Sequence, residues 1–292
     1  MIPQYPKIRP LEIEDSIKIT PYLKDYSPTI CELNLANLII WKKFDNYQIT
    51  LINDNLCIKA NSILDEHYFF EPVGKHKIEE TIQICLKDSG EISRASEKLT
   101  GQLSHDKYSF KELRDQDDYI YLTTELAELK GKGFDGKRNH IKKFKKICPD
   151  CKFIPLSNKH EKEALELFEK WSSNKDSGPL SYDAQRKAIE NAFKYYDQLG
   201  LLGGAFIIKG DFAGFILGSH LNDETATLHF SYGDKQYYGI SQALLNSACE
   251  TIFHNYRYVD LEQDLGIPGL RKSKLSYHPF KMEKKCEVKL KA

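Results

Sequence analysis

Residues 203–234 read GGAFIIKGDFAGFILGSHLNDETATLHFSYGD. They form three apolar, β-branched and aromatic runs, broken at Lys209-Gly210-Asp211 and Asn222-Asp223-Glu224. Gly, Asn and Asp tolerate the positive φ of tight turns, so three strands joined this way pair antiparallel as a meander. That feature excludes a helical bundle, and also a doubly wound parallel sheet, in which strand and helix alternate throughout. Around the meander the periodicity predicts helices over 158–174 and 181–200 before it, a helix over 238–254 after it, and then a strand over 256–262. Helices, antiparallel strands, a helix and a further strand make an α+β order.

The first half uses the same alphabet. Helices are expected from Leu11 to Leu23 and from Ile30 to Phe44, and a hairpin over 47–60 turns at Asn53-Asp54-Asn55. A strand over 67–74 stopped by Pro72 and Gly74, a helix over 77–90 ended by Gly90, and a strand from Asp118 complete it. A chain of 292 residues has room for two domains. The repeated order places them at 1–118 and 119–292, two similar α+β units.

Charge narrows the function classes. The 42 Lys and Arg cancel the 42 Asp and Glu, so any attraction to a polyanion or a membrane surface must be local. No apolar run approaches the roughly 20 residues of a bilayer span, and MIPQYPKIRP lacks the apolar core of a signal peptide. Seven scattered cysteines, an odd number, fit reduced thiols better than a disulfide framework. The expectation is a cytoplasmic globular protein.

One local cluster stands out. Between Lys130 and Lys146 lie eight Lys or Arg and a single acid, Asp135. The segment spells G-x-G-x-x-G, but a helical stretch precedes it rather than a strand. It also spells G-x-x-x-x-G-K, but Arg138 stands where a P-loop needs a hydroxyl. On a helix from Gly136, Arg138, Lys142, Lys145 and Lys146 share one side, while Ile141, Phe144 and Ile147 face the core. A solvated face is the ordinary reading; a contact with RNA or a phosphorylated substrate, which would relieve the crowding of like charge, is the functional one. Cys148-Pro149-Asp150-Cys151 has no second pair, and none of the nine histidines has metal-site spacing, so no metal is expected.

After the meander, Gln236-Tyr237-Tyr238-Gly239-Ile240-Ser241 leads into a helix. A helix start offers unpaired N–H groups and a positive dipole end, and glycine admits close approach. The pattern resembles the Q/R-x-x-G-x-G/A loop of GNAT acyltransferases, which grips the coenzyme A pyrophosphate. Gln236, Gly239, Ile240 and Ser241 are then candidate cofactor contacts, with Ser241 departing from the Gly or Ala of the pattern.

VDLEQDLGIPGLRKSKLSYHPF delivers Glu262 and Asp264 at a strand end and then turns into a short helix with Arg271, Lys272 and Lys274. Acids and cations across a turn form either a structural ion pair or an acid–base and anion site. Gly269-Leu270-Arg271-x-x-Lys274-x-x-Tyr277-x-Pro279 resembles the G-L-R-x-x-K-x-x-F-x-P signature of the catalytic domain of lysylphosphatidylglycerol synthases, and KGFDGKRNHIKKFKK resembles their basic helix. The resemblance implies tandem GNAT-like domains with mixed, mainly antiparallel sheets, shared with Fem-type aminoacyltransferases. It implies transfer of an aminoacyl group from aminoacyl-tRNA to an amine or hydroxyl of a small molecule, peptide or lipid headgroup. No covalent enzyme intermediate and no further cofactor are required.

In that scheme Arg271 and Lys274 hold a phosphate, Glu262 or Asp264 serves as base, Tyr277 continues their row, and a backbone N–H of the meander stabilises the oxyanion. An acyl-CoA-dependent N-acyltransferase is the first alternative. A non-catalytic RNA- or phosphate-binding protein of the same fold is the second.

Overall fold

The computed structural model describes residues 1–61, 67–172 and 181–291 and divides into two units, Met1–Asp118 with the chain from Met282 onward, and Tyr119–Lys281. In chain order the elements used below are β1 (Arg9–Pro10), α1 (Ser16–Tyr26), β2 (Gln48–Ile52), β3 (Asn55–Asn61), β4 (His67–Phe69), α2 (Ile78–Ser89), β5 (Ile92–Ser96) and β6 (Tyr108–Glu112). They continue with β7 (Asp118–Leu122), α3 (Asp135–Ile147), β8 (Lys152–Pro155), α4 (Glu161–Ser172), α5 (Tyr182–Lys194), β9 (Leu202–Ile208), β10 (Asp211–Asn222) and β11 (Thr225–Gly233). The chain closes with α6 (Ile240–Thr251), β12 (Tyr258–Asp260), α7 (Pro268–Leu275), β13 (Lys281–Glu283) and β14 (Lys285–Leu290). Residues 173–174 of the helix expected over 158–174 lie outside the described residues.

The α+β class with two mixed sheets holds. In the first unit the strand order is β1-β2-β3-β4-β5-β14-β6. Its β2–β3 hairpin turns at Asn53 and Asp54, both at positive φ (49° and 61°), as the sequence predicts. The helix expected over 30–44 is instead broken, because the Asn34 side chain accepts from Ala36 N (2.8 Å) and Asn37 N (3.3 Å) and starts a new helix at Leu35. The tail, expected in the second domain, belongs to the first unit's sheet. Lys285 is fully buried there, with Nζ 2.6 Å from Glu32 Oε2 and 2.7 Å from Asp118 Oδ1. Burial pushes Asp118 up to about 7 despite the lysine.

In the second unit β8, β9, β10 and β11 are antiparallel neighbours; β12 runs parallel to β11, and β7 antiparallel to β12. This is the expected order of meander, helix and returning strand. The parallel register covers Thr225↔Tyr258 to Thr227↔Asp260. Two residues further on, β11 bulges: Gly218 pairs with Leu228 and Leu217 with Phe230, so His229 is the extra residue. In α3, Ile141 and Phe144 are buried as expected, whereas Ile147, the last residue of the helix, is exposed.

Candidate functional site

The site is built on the turn that follows β12. Glu262, Leu265 and Gly266 all have positive φ (57°, 52° and 72°), so the backbone turns within six residues of the strand end. The turn is held by the two cations of α7, three residues apart on one side of the helix. Lys274 Nζ donates to the carbonyls of Leu261, Glu262 (3.0 Å) and Gln263. Arg271 donates to both oxygens of buried Asp264, Nε to Oδ2 and Nη2 to Oδ1, each at 2.8 Å.

Asp264 also accepts from the Tyr119 hydroxyl (2.6 Å) and from Gly266 N (2.9 Å). Burial works to raise its pKa, but these donors and the guanidinium charge outweigh it and hold the carboxyl well below the usual carboxylate range. The expectation of Asp264 as a base therefore gives way. A carboxylate that takes up a proton so reluctantly anchors Arg271 instead. Lys274 is likewise not an open phosphate ligand, because its ammonium draws three carbonyls together.

Glu262 is the acid the turn presents outward. Its side chain is 19% exposed, and Oε1 lies 3.0 Å from Nδ1 of His229, whose side chain is fully buried. The opposite ring nitrogen, Nε2, lies 2.8 Å from Ser219 Oγ. An ionised carboxylate only accepts, so Nδ1 carries the proton and Nε2 receives the Ser219 hydroxyl. The order Ser–His–Glu has the hydrogen bonds of a nucleophilic triad, but Ser219 is 2% exposed and acts as the ring's partner rather than as a nucleophile. Sequence reasoning missed His229. Its place in a bulge, facing a residue 33 positions away, leaves no local signal.

Tyr277 does not offer a phenol to solvent. It is buried, which pushes its hydroxyl far up, and Lys137 Nζ sits 3.7 Å from its ring centroid. Lys137 also donates to Ser276 Oγ (2.6 Å), and burial lowers its pKa. The start of α3 thus packs on the end of α7.

One turn further along, α3 meets the loop before α6. Gly239 (φ 88°) packs so closely on α3 that a Cβ there would lie 2.3 Å from the His140 carbonyl oxygen. Gln236 turns to Asp234, donating N to Oδ1 (3.0 Å) and Nε2 to Oδ2 (2.9 Å), and Lys170 holds the same carboxylate at 2.5 Å. Ile240 is buried and Ser241 exposed. Of the expected polyanion contacts, Lys142, Lys145 and Lys146 are exposed. Arg138 is engaged by Asp135 and by the carbonyls of Leu129 and Gly131.

Among the described residues no helix is long and apolar enough to cross a membrane. Residues 23–286 match the family model "Phosphatidylglycerol lysyltransferase, C-terminal". A conserved protein of unknown function from Bacteroides thetaiotaomicron has the same fold over all of both chains (29% identity, TM-score 0.90). The structure of L-PGS from Bacillus licheniformis, at 14% identity and TM-score 0.65, covers 96% of this chain and 92% of its own. An uncharacterized protein of Mycoplasmoides gallisepticum is 28% identical over 174 residues, 59% of this chain; the match spans 56% of that relative's length.

Proposed function

The chain belongs to the family of the C-terminal domain of phosphatidylglycerol lysyltransferases, and from that premise we propose that it is an acyltransferase moving an aminoacyl group from aminoacyl-tRNA to an amine or hydroxyl. The observation that carries this reading is the clamped turn: Lys274 and Arg271 fix residues 261–264 so that Glu262 alone of its two carboxylates stands at the surface, oriented by His229.

The reaction follows from that arrangement. The acceptor N–H or O–H lies against Glu262, which takes its proton as the nucleophile attacks the ester carbonyl. A backbone N–H of the bulged β11 receives the oxyanion. Collapse of the tetrahedral intermediate breaks the ester C–O bond, and the proton returns from Glu262 to the departing ribose oxygen. Arg271, fixed by Asp264 and with a side chain 34% exposed, meets a phosphate of the donor.

The donor assignment is supported by the loop before α6. Its Gln236 is turned onto an acid, and its Gly239 is filled by α3, which suits a coenzyme A pyrophosphate poorly. The exposed lysines of α3 suit an RNA.

The test uses pooled radiolabelled aminoacyl-tRNAs with a panel of amine and hydroxyl acceptors, including phosphatidylglycerol vesicles. Acceptor-dependent loss of label from tRNA, reduced about 10²- to 10⁴-fold in Glu262→Gln with the melting temperature unchanged, is expected. Acceptor-dependent release of coenzyme A from acyl-CoA, with tRNA left intact, would replace the donor. Activity untouched by Glu262→Gln would remove the base.

A further inference from the structure

The loop before α6 and the basic helix α3 share one aromatic feature. The Tyr238 ring stacks on the His140 imidazole, centroids 4.8 Å apart and planes 15° from parallel. Tyr238 is 48% exposed, although it is a large aromatic on a loop whose other members are anchored. Its position is fixed from both sides in sequence. Tyr237 O accepts from Ile240 N (3.1 Å), and Gly239 is wedged against the His140 carbonyl. Lys143, one turn beyond His140, brings its ammonium 5.3 Å from the same ring centroid. Lys142, the residue before Lys143, and Lys146, three residues after it, stand exposed on the same helix.

An immobile, half-exposed aromatic ring beside clustered cations is the arrangement that holds single-stranded nucleic acid: stacking for a base, ammonium groups for its phosphates. A lysine run on its own would supply only the second. The helix also links the platform to the clamped turn: its Lys137 meets Ser276 and Tyr277 at the end of α7, and Lys274 of α7 holds the Glu262 carbonyl. His140 at the platform and Lys137 at Tyr277 are three residues apart, about 4.5 Å along α3 at the usual helical rise.

We propose that Tyr238, backed by His140, is the stacking platform for an unpaired base at the 3′ end of the donor RNA. The proposal rests on the aminoacyl-tRNA reading and adds where that RNA is gripped. Every tRNA ends in an unpaired CCA, so a base stacked at Tyr238 would lay the terminal ribose ester along α3 toward Glu262. The phosphates between them would run past Lys137, while Lys143 flanks the platform on its other side.

The experiment measures binding of deacylated tRNA and of the same tRNA shortened by its CCA, at fixed low salt. Tyr238→Ala should weaken intact tRNA by about 5- to 100-fold and leave the shortened RNA unaffected. Tyr238→Phe should bind intact tRNA as the wild type does, and Lys142→Glu should weaken both RNAs alike. Melting temperatures establish that the variants are folded. If wild type binds neither RNA, the donor reading and the platform both fall. If it binds tRNA but Tyr238→Ala weakens both RNAs equally or neither, the platform alone is overturned. Wild-type binding of coenzyme A that is lost in Tyr238→Ala, with tRNA binding unchanged, would also overturn it, by giving the ring to the adenine of a different donor.

Discussion

Arg271 lies over Asp264 with two parallel hydrogen bonds of 2.8 Å, one from Nε and one from Nη2, and the carboxylate so held is wholly buried. The pair joins the first turn of α7 to the turn that follows β12, two residues from Glu262. Lysine supplies one point charge rather than a planar fork, so Arg271→Lys is not conservative at this site. It should lower the melting temperature and any transfer rate together. A variant with wild-type stability and a reduced rate would mean that Arg271 acts on substrate alone.

The same pair makes stability depend on pH. Asp264 is held ionised below its ordinary value, so its contribution is present above about pH 4 and is lost as the pH falls through its folded value. Urea unfolding of the wild type and Asp264→Asn should show a gap at neutral pH that closes on acidification. A gap of constant size from about pH 7 to pH 2.5 would refute the assignment.

Lys274 offers a sharper contrast between two roles. A surface ion pair would cost about 0–1 kcal/mol when broken. An ammonium gathering three carbonyls, at the level of single charge-assisted hydrogen bonds, should cost about 1.5–3 kcal/mol or more. Lys274→Met should therefore lose stability as well as activity, and denaturant melts that overlay the wild type would count against the clamp.

In the first unit, Lys285 is buried between Glu32 and Asp118. Lys285→Met strands two buried acids and should destabilise by about 3–5 kcal/mol. The loss should be smaller at lower pH, where Asp118, already raised to about 7, takes up a proton. Equal losses at pH 5 and pH 8 would contradict this.

Gly239 combines φ 88° with a Cβ position 2.3 Å from the His140 carbonyl oxygen. Gly239→Ala must strain the backbone or part the loop from α3, at about 1–3 kcal/mol. Because the loop carries Tyr238, the substitution should also weaken tRNA binding; unchanged melting and binding would show that the loop moves freely.

Residue order alone was enough for whatever is settled within a turn or two of the chain. The positive φ of Asn53, Asp54 and Gly210 follows from residue type, and the pairing across those turns fixes two hairpins. The buried row of Ile141 and Phe144 follows from helical spacing, and so does the shared side of Arg271 and Lys274. What those two cations touch was not legible there, because both hydrogen-bond back onto a turn in which two of the three positive-φ residues, Glu262 and Leu265, are not glycines. Nor was the meeting of His229 with Glu262. It exists because β12 pairs parallel to β11 across an intervening helix, and because a single bulged residue turns the imidazole toward the strand end. The return of β14 to the first unit depends on a lysine finding two buried carboxylates more than 160 positions away. Spacing and residue type encode the local angles; strand pairing and burial, which join distant parts of the chain, decide which of the charged groups become anchors and which one is left at the surface.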